Sequence, residues 1–348
     1  MYENVAEIEK NYKLSDFPLN LIIEVGNHCN LNCTTCLNDR LTRPRGFMNI
    51  FLYKKIVDEA AEVNPYTRLW LDFYGEPLLV RWKLYYMIDY AKKKGMKNLC
   101  INTNGTLIDR EMAEMLLDAG LDFISIDCDG WSKEVYESIR VGADRDKFYA
   151  NIEYLLDRKR ERGMKKPIIE LKAMEMEENK DEIPQILEYG RMHGAWTTTR
   201  RLISWGGQME DIASKMERMD DRYACGDAVG ICAITWDGLV AQCVMDVDAK
   251  NVFGDVKKES IASIWQRRNE TFLKPQLAHD WDALPELGRN CHDWQIVGEN
   301  RWDEEGHPII RSYEAREAMQ KLGGGWTLVR ARNTRLNIRR YIVLASRK

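Results

Sequence analysis

The chain has 348 residues, 45% of them apolar and 30% charged, with 51 basic side chains against 55 acidic and a net charge of −4. That length favours one large and one small domain around a substantial core, and the balanced charge gives no basis for nucleic acid or an anionic membrane as the main partner. No apolar run approaches the ~18 residues of a membrane span. No signal peptide is visible at the N-terminus, so a cytoplasmic, reducing setting is expected. The nine cysteines then read as metal ligands, reactive thiols or small core residues rather than disulfides.

Residues 1–17 form an N-terminal extension. From 18 to 207 short apolar runs alternate with amphipathic helical stretches. Strands are predicted at 21–25, 68–73, 98–102, 123–127, 168–174 and 196–203. Helical periodicity appears at Ile56, Val57, Ala60 and Val63, and again at Met112, Met115, Leu116 and Ala119 before Gly120. It recurs at Phe148, Ile152, Leu155 and Leu156 before Gly163, and at Ile183, Ile186 and Leu187 before Gly190 or Gly194. Six strand–helix repeats predict parallel strands with right-handed crossovers. Six are fewer than the eight of a closed barrel, so an open, partial (β/α)6 barrel is expected.

Alternation along the strands adds to this. Leu71, Leu99, Ile101, Ile124, Ile126, Ile169 and Leu171 take one face. Asp72, Cys100, Asn102, Asn104, Ser125, Asp127, Glu170 and Lys172 take the other. Strands of a parallel sheet covered by helices on both faces are apolar throughout. A polar face repeated over four strands points to a large polar ligand at the strands' C-terminal ends. The alternative is that these groups pair with one another.

After Trp205-Gly206-Gly207 the alternation stops, and 208–222 is charged, as a linker or helix. Residues 208–300 form a second, smaller domain rich in cysteine and tryptophan. Its hairpin, ITWDGLV at 234–240, carries an Asp-Gly suited to a tight primed turn. Residues 301–348 are a C-terminal extension with a basic stretch from Arg330.

The densest cysteine cluster is CNLNCTTC, with Cys29, Cys33 and Cys36 just after the first strand. Structural zinc takes four closed ligands, whereas three thiolates hold three irons of a [4Fe–4S] cluster and leave the fourth iron open. With this loop come YGEPLL at 74–79, INTNG at 101–105, and SID at 125–127 followed by YESIR at 136–140. In these motifs, taken in order over residues 18–207, the chain resembles the radical S-adenosylmethionine (SAM) superfamily. Its hallmark is CxxxCxxC after the first strand of a partial barrel. Thr35 departs from the pattern, since many members place an aromatic beside the last cysteine.

The resemblance implies that Cys29, Cys33 and Cys36 bind a [4Fe–4S] cluster and that SAM chelates its open iron. Reductive cleavage of the sulfonium would then give a 5′-deoxyadenosyl radical that abstracts a substrate hydrogen. Gly75 would admit the methionine moiety and Glu76 would receive its ammonium. Asn102, Asn104 and Asp127 would suit ribose and carboxylate contacts, and Arg140 would pair with the SAM carboxylate or form a structural ion pair.

Further on, Cys225, Gly238 and Cys243 are spaced Cx12Gx4C and are followed by VFGDV at 252–256, SIASIW at 260–265 and Cys291. This is similar to the family's SPASM/Twitch domains, which hold an auxiliary [4Fe–4S] cluster, except that Trp294 stands where a closing cysteine is usual. Cys232, with His292 and Asp293 behind it, is the candidate fourth ligand. The alternatives are an open iron, or Cys232 as a free thiol that returns hydrogen to a substrate radical. Cys100 and Cys128 are expected to be small core residues.

The expected function is therefore a radical SAM oxidoreductase or epimerase, fed by an external electron donor of the flavodoxin or ferredoxin type. Its substrate would be a polar small molecule such as a carbohydrate, aminoglycoside or nucleoside. Epimerisation or cross-linking of a ribosomally made peptide is the second reading, and a non-catalytic iron–sulfur protein the third.

Overall fold

The computed structural model describes residues 9, 12, 14–214, 216 and 222–295 in full, and 301–302, 308–309, 326–332 and 339–345 as strands only. Residues 1–295 form one compact unit and 296–348 another. Most of the expected N-terminal extension and part of the 208–222 segment lie outside the described residues. Within that segment a short helix spans Glu210–Ala213.

The first unit is built on one nine-stranded sheet. Strands β1 (Asn20–Ile23), β2 (Arg68–Trp70), β3 (Asn98–Thr103), β4 (Phe123–Asp127), β5 (Ile168–Glu175) and β6 (Trp196–Arg201) pair in sequence order, all parallel. Each predicted strand is present: β4 matches its predicted bounds, β3 and β5 run one residue further, and β1, β2 and β6 end two or three residues earlier. The intervening helices include α1 (Ile50–Val63), α2 (Trp82–Lys93), α3 (Arg110–Asp118), α4 (Lys133–Ile139), α5 (Arg145–Glu161) and α6 (Ile183–Met192).

Their starts are set by local chemistry. Asn49, Asp109, Ser132 and Asp144 each accept a backbone N–H of the first turn, satisfying a donor that has no partner within the helix. α6 runs through Gly190, which leaves Gly194 beyond its end. Leu71, Leu99, Ile101, Ile124, Ile126, Ile169 and Leu171 are all at most 3% exposed and share one apolar cluster with the buried stripes of α1 to α3, α5 and α6. Their polar alternates therefore line the opposite face.

The expected second domain does not have a separate sheet. β7 (Ile231–Ile234) pairs parallel with β1, and β8 (Leu239–Ala241) and β9 (Val252–Asp255) continue antiparallel beyond it. The Asp-Gly hairpin also differs from expectation. Only Gly238, at φ +95°, takes positive φ in the loop, and Gly238 N–H donates to Thr235 O. A primed two-residue turn needs positive φ at both central residues. Asp237 instead accepts the Thr235 hydroxyl at 2.6 Å, which favours a longer loop ending in the left-handed glycine. Helix α7 (Ile261–Arg268), capped by Ser260, and α8 (Glu286–Asn290) complete this part.

The second unit contains two antiparallel pairs, Arg301–Trp302 with Pro308–Ile309 and Trp326–Arg332 with Arg339–Ala345. The side chains of the basic stretch from Arg330 lie outside the described residues. No helix among the described residues is long and apolar enough to cross a membrane.

Candidate functional site

Cys29, Cys33 and Cys36 sit on the loop leaving the C-terminal end of β1. The loop is fixed by amides and one arginine. Asn38 donates to Asn27 O at 3.0 Å and also to Tyr74 O, while Arg45 reaches Asn38 Oδ1 at 2.9 Å. Trp205, just past β6, donates its indole N–H to Thr35 O at 2.8 Å and closes over the loop. None of these three holding residues was marked by a sequence motif. Their signal is three-dimensional, a set of donors converging on carbonyls from distant segments.

The three thiols are near enough to feel one another's charge, and burial raises the pKa of each, that of Cys36 to about 12. Asn104 Nδ2 lies 3.8 Å from Cys29 Sγ, Arg140 Nη1 3.7 Å from Cys33 Sγ, and Asn38 N–H 3.4 Å from Cys36 Sγ. Among the described residues no three His, Cys, Asp or Glu side chains close on one point tightly enough for a single ion. Three separated sulfurs, each facing a hydrogen-bond donor, fit the larger multi-iron cluster, whose thiolate charge needs such donors.

Beside the loop, Glu76 is buried. Its Oε1 accepts from Thr103 Oγ1 at 2.7 Å and Leu78 N at 3.0 Å, and its Oε2 accepts from Asn104 N at 2.9 Å. A carboxylate has about four acceptor positions, so one remains at Oε2 for a cation. Burial wins over these bonds and lifts its pKa to about 7. At Gly75 a Cβ would lie 2.1 Å from Gly26 O, so the glycine is required where two backbones cross. The structure thus gives Gly75 a reason independent of any ligand.

The polar face pairs largely within itself. Ser125 and Thr198 donate to Glu170 at 2.7 and 2.9 Å. Lys172 bridges Asp127 at 2.8 Å and Asn102 Oδ1 at 2.5 Å, and Asn102 N–H donates to Asp72 at 3.0 Å. Burial would raise Asp127, but Lys172 and Arg140 overcome it and hold the carboxyl at about 2. Asp72 is carried by burial up to about 7. Arg140, expected to meet either a ligand or a structural partner, is buried in ion pairs with Asp127 at 3.4 Å and with Asp129. Asn104 braces the cysteine loop, donating to Asn30 at 3.0 Å.

In the second cysteine set, Cys225 precedes a short helix at Gly226–Gly230, Cys243 follows β8, and Cys291 follows α8. Cys225 lies within electrostatic reach of Cys291, Cys243 of Cys225, and Cys291 of Cys243, so the three are brought together. Beside them the buried Arg268 keeps one Nη2 without a partner, which suits an anionic group held by these thiols. Cys232 also neighbours Arg268, but none of the three clustered thiols is among the charges acting on it. It is on β7 opposite Leu21, 1% exposed, within the main apolar cluster. Asp293 is committed to Ser204 N at 2.8 Å and Gly206 N at 2.6 Å, and Trp294 packs edge-on against Tyr223. His292 is half-buried beside them. Cys100 and Cys128 are buried in strand and core.

The profile of the radical SAM superfamily matches residues 23–189, and that of the SPASM iron-sulfur cluster-binding domain matches 225–292. A probable GTP 3′,8-cyclase of Methanococcus maripaludis is 30% identical over 291 residues, covering 71% of this chain and 94% of the relative. The S-adenosyl-L-methionine-dependent 2-deoxy-scyllo-inosamine dehydrogenase of Niallia circulans is 22% identical, covering 81% and 95%. Two solved structures share the fold. BtrN in complex with AdoMet and 2-DOIA has a TM-score of 0.54 at 20% identity, over 78% of this chain and 92% of that one. Streptococcus suis SuiB bound to its precursor peptide SuiA has a TM-score of 0.57 at 14% identity, over 74% and 67%.

Proposed function

Since the chain belongs to the radical SAM superfamily and carries a SPASM-type iron–sulfur domain, we propose that it is an oxidoreductase that dehydrogenates a polar small molecule. When bound, the two clusters supply one-electron chemistry, cleavage of SAM at the first and uptake of the substrate's second electron at the other. The chain's own residues hold and orient. Cys29, Cys33 and Cys36 ligate the first cluster, and Cys225, Cys243 and Cys291 the second. Glu76 receives the SAM ammonium at its remaining acceptor position. Asn104 and Arg140 brace the cysteine loop at Cys29 and Cys33, and an external flavodoxin- or ferredoxin-type donor provides the electron.

The observation that carries the substrate class is the polar layer of Asp72, Asn102, Asp127 and Lys172 from four neighbouring strand segments, joined to one another yet with Asp72, Asn102 and Asp127 only half-buried. A carbohydrate, aminoglycoside or nucleoside presents hydroxyls and amines that such groups bind. Two relatives matched over most of their length have names that give polar small molecules, an inosamine and GTP. Dehydrogenation is preferred to epimerisation because Cys232, the one candidate hydrogen donor, is enclosed in apolar core.

The test is turnover of the reduced, reconstituted protein with deuterated sugars, aminocyclitols and nucleosides. Deuterium entering 5′-deoxyadenosine with one of them, together with a product two mass units lighter than the unlabelled substrate would be in parallel runs, supports the reading. Transfer from a peptide alone would overturn it.

A further inference from the structure

Arg268 closes α7 and is 1% exposed. A guanidinium stays charged under all ordinary conditions, and a buried charge needs a counter-charge. Among the described residues no carboxylate stands within ion-pair distance of it. The ionisable groups that act on it most are thiols, Cys232, Cys243 and Cys225 in that order, with Asp227 after them. Nη1 donates to Ala228 O at 2.8 Å and Nε to Gln242 O at 3.3 Å, while Nη2 has no partner. Ala228 is three residues past Cys225 and Gln242 immediately precedes Cys243, so the fork is tied to the backbone beside two of the three clustered cysteines. The rings of Trp265 and Phe272 hold its plane, at 4.8 and 5.2 Å. The Gln242 side chain, fully buried, likewise has neither amide atom paired.

A protein rarely leaves a guanidinium and an amide buried and unsatisfied side by side. The leftover donors, Arg268 Nη2 and Gln242 Nε2, are both explained by one anionic occupant at Cys225, Cys243 and Cys291. We propose that Arg268 is the counter-charge of the auxiliary iron–sulfur cluster, a positioning residue that favours the cluster's reduced state and so sets its readiness to accept an electron. The proposal rests on the assignment of the second cluster to these three cysteines. A fixed cation stabilises the more negative, reduced form, so its removal makes reduction harder.

The experiment is a redox titration of the reconstituted holoenzyme followed by electron paramagnetic resonance. Iron and sulfide counts are taken in parallel, and the signal that does not respond to SAM is assigned to the second cluster. R268M is expected to lower the reduced-to-oxidised ratio of that cluster at least tenfold at fixed potential, about 59 mV for a one-electron couple. R268K, which keeps the charge, is expected to stay near the wild type. Loss of the second cluster from R268M but not from R268K also supports the counter-charge. Unchanged potential in a fully loaded R268M, or equal loss of the cluster from both variants, overturns it. A wild type that binds only one cluster would instead overturn the underlying assignment, and iron counts separate the two failures.

Discussion

At Glu76 and Asp72 burial opposes ionisation and prevails, bringing both carboxyls to about 7. A raised pKa means that the folded chain holds these protons more tightly than the unfolded one. Their contribution to stability is full below about pH 4 and is lost as pH climbs toward 7. Each amounts to on the order of 3 kcal/mol. Asp127, held low, works the other way, with its contribution present above about pH 4 and lost only as pH falls toward 2. Urea unfolding of the metal-free chain at pH 4.5 and 7.5 is expected to show a smaller loss with pH in Glu76→Gln than in the wild type. An identical loss would mean that Glu76 ionises freely. At Gly75 the expected effect is steric. Gly75→Ala drives a methyl into Gly26 O, so the cysteine loop must move, and iron incorporation into the first site is expected to fall severely. Wild-type iron content in that variant would show that the crossing has room.

Between elements, one link that joins distant segments is a buried ion pair. Glu24, next after β1, takes both Arg43 nitrogens at 2.5 and 2.6 Å and the Trp236 backbone N–H at 3.1 Å, while Arg43 Nε reaches Val247 O at 2.7 Å. One pair thus ties the chain beyond the first cysteine loop to the hairpin turn and to the segment after Cys243. Glu24→Gln leaves Arg43 buried without a counter-charge and is expected to cost about 3–5 kcal/mol. Glu24→Gln combined with Arg43→Met is expected to cost less than Glu24→Gln alone, read from urea midpoints. Equal costs would show that the pair carries little. At this scale the sequence was most legible where period and caps agreed, as in α3 and α5. It was least legible at α2, where Leu84, Met87, Ile88 and Ala91 are buried at helical spacing. There Trp82, Tyr85 and Tyr86 lie exposed on the other face and blur the apolar stripe. The β7–β1 pairing joins residues about 210 apart, and no local pattern carries such a contact.

For the molecule as a whole, that pairing makes a single sheet of what the sequence divided in two. One layer carries the first cysteine loop at the end of β1, and its strands β7 and β8 run between Cys225 and Cys243. Spacing singled out Cys29, Cys33 and Cys36 because one loop after β1 carries all three, whereas Cys225, Cys243 and Cys291 come from three separate segments. What spacing did not reveal was what surrounds them: Asn38, Arg45 and Trp205 at one, Arg268 and Gln242 at the other. Cys232, the expected fourth ligand, lies on β7 opposite Leu21 in the apolar core, with Arg268 as a neighbour. The central claim is radical chemistry begun at Cys29, Cys33 and Cys36, and its most direct test is 5′-deoxyadenosine formation by the reduced, reconstituted protein with SAM. Steady formation by the wild type, abolished in Cys33→Ala with the second cluster still loaded, is the expected result. No 5′-deoxyadenosine from a fully loaded wild type, or undiminished formation by Cys33→Ala, would contradict it.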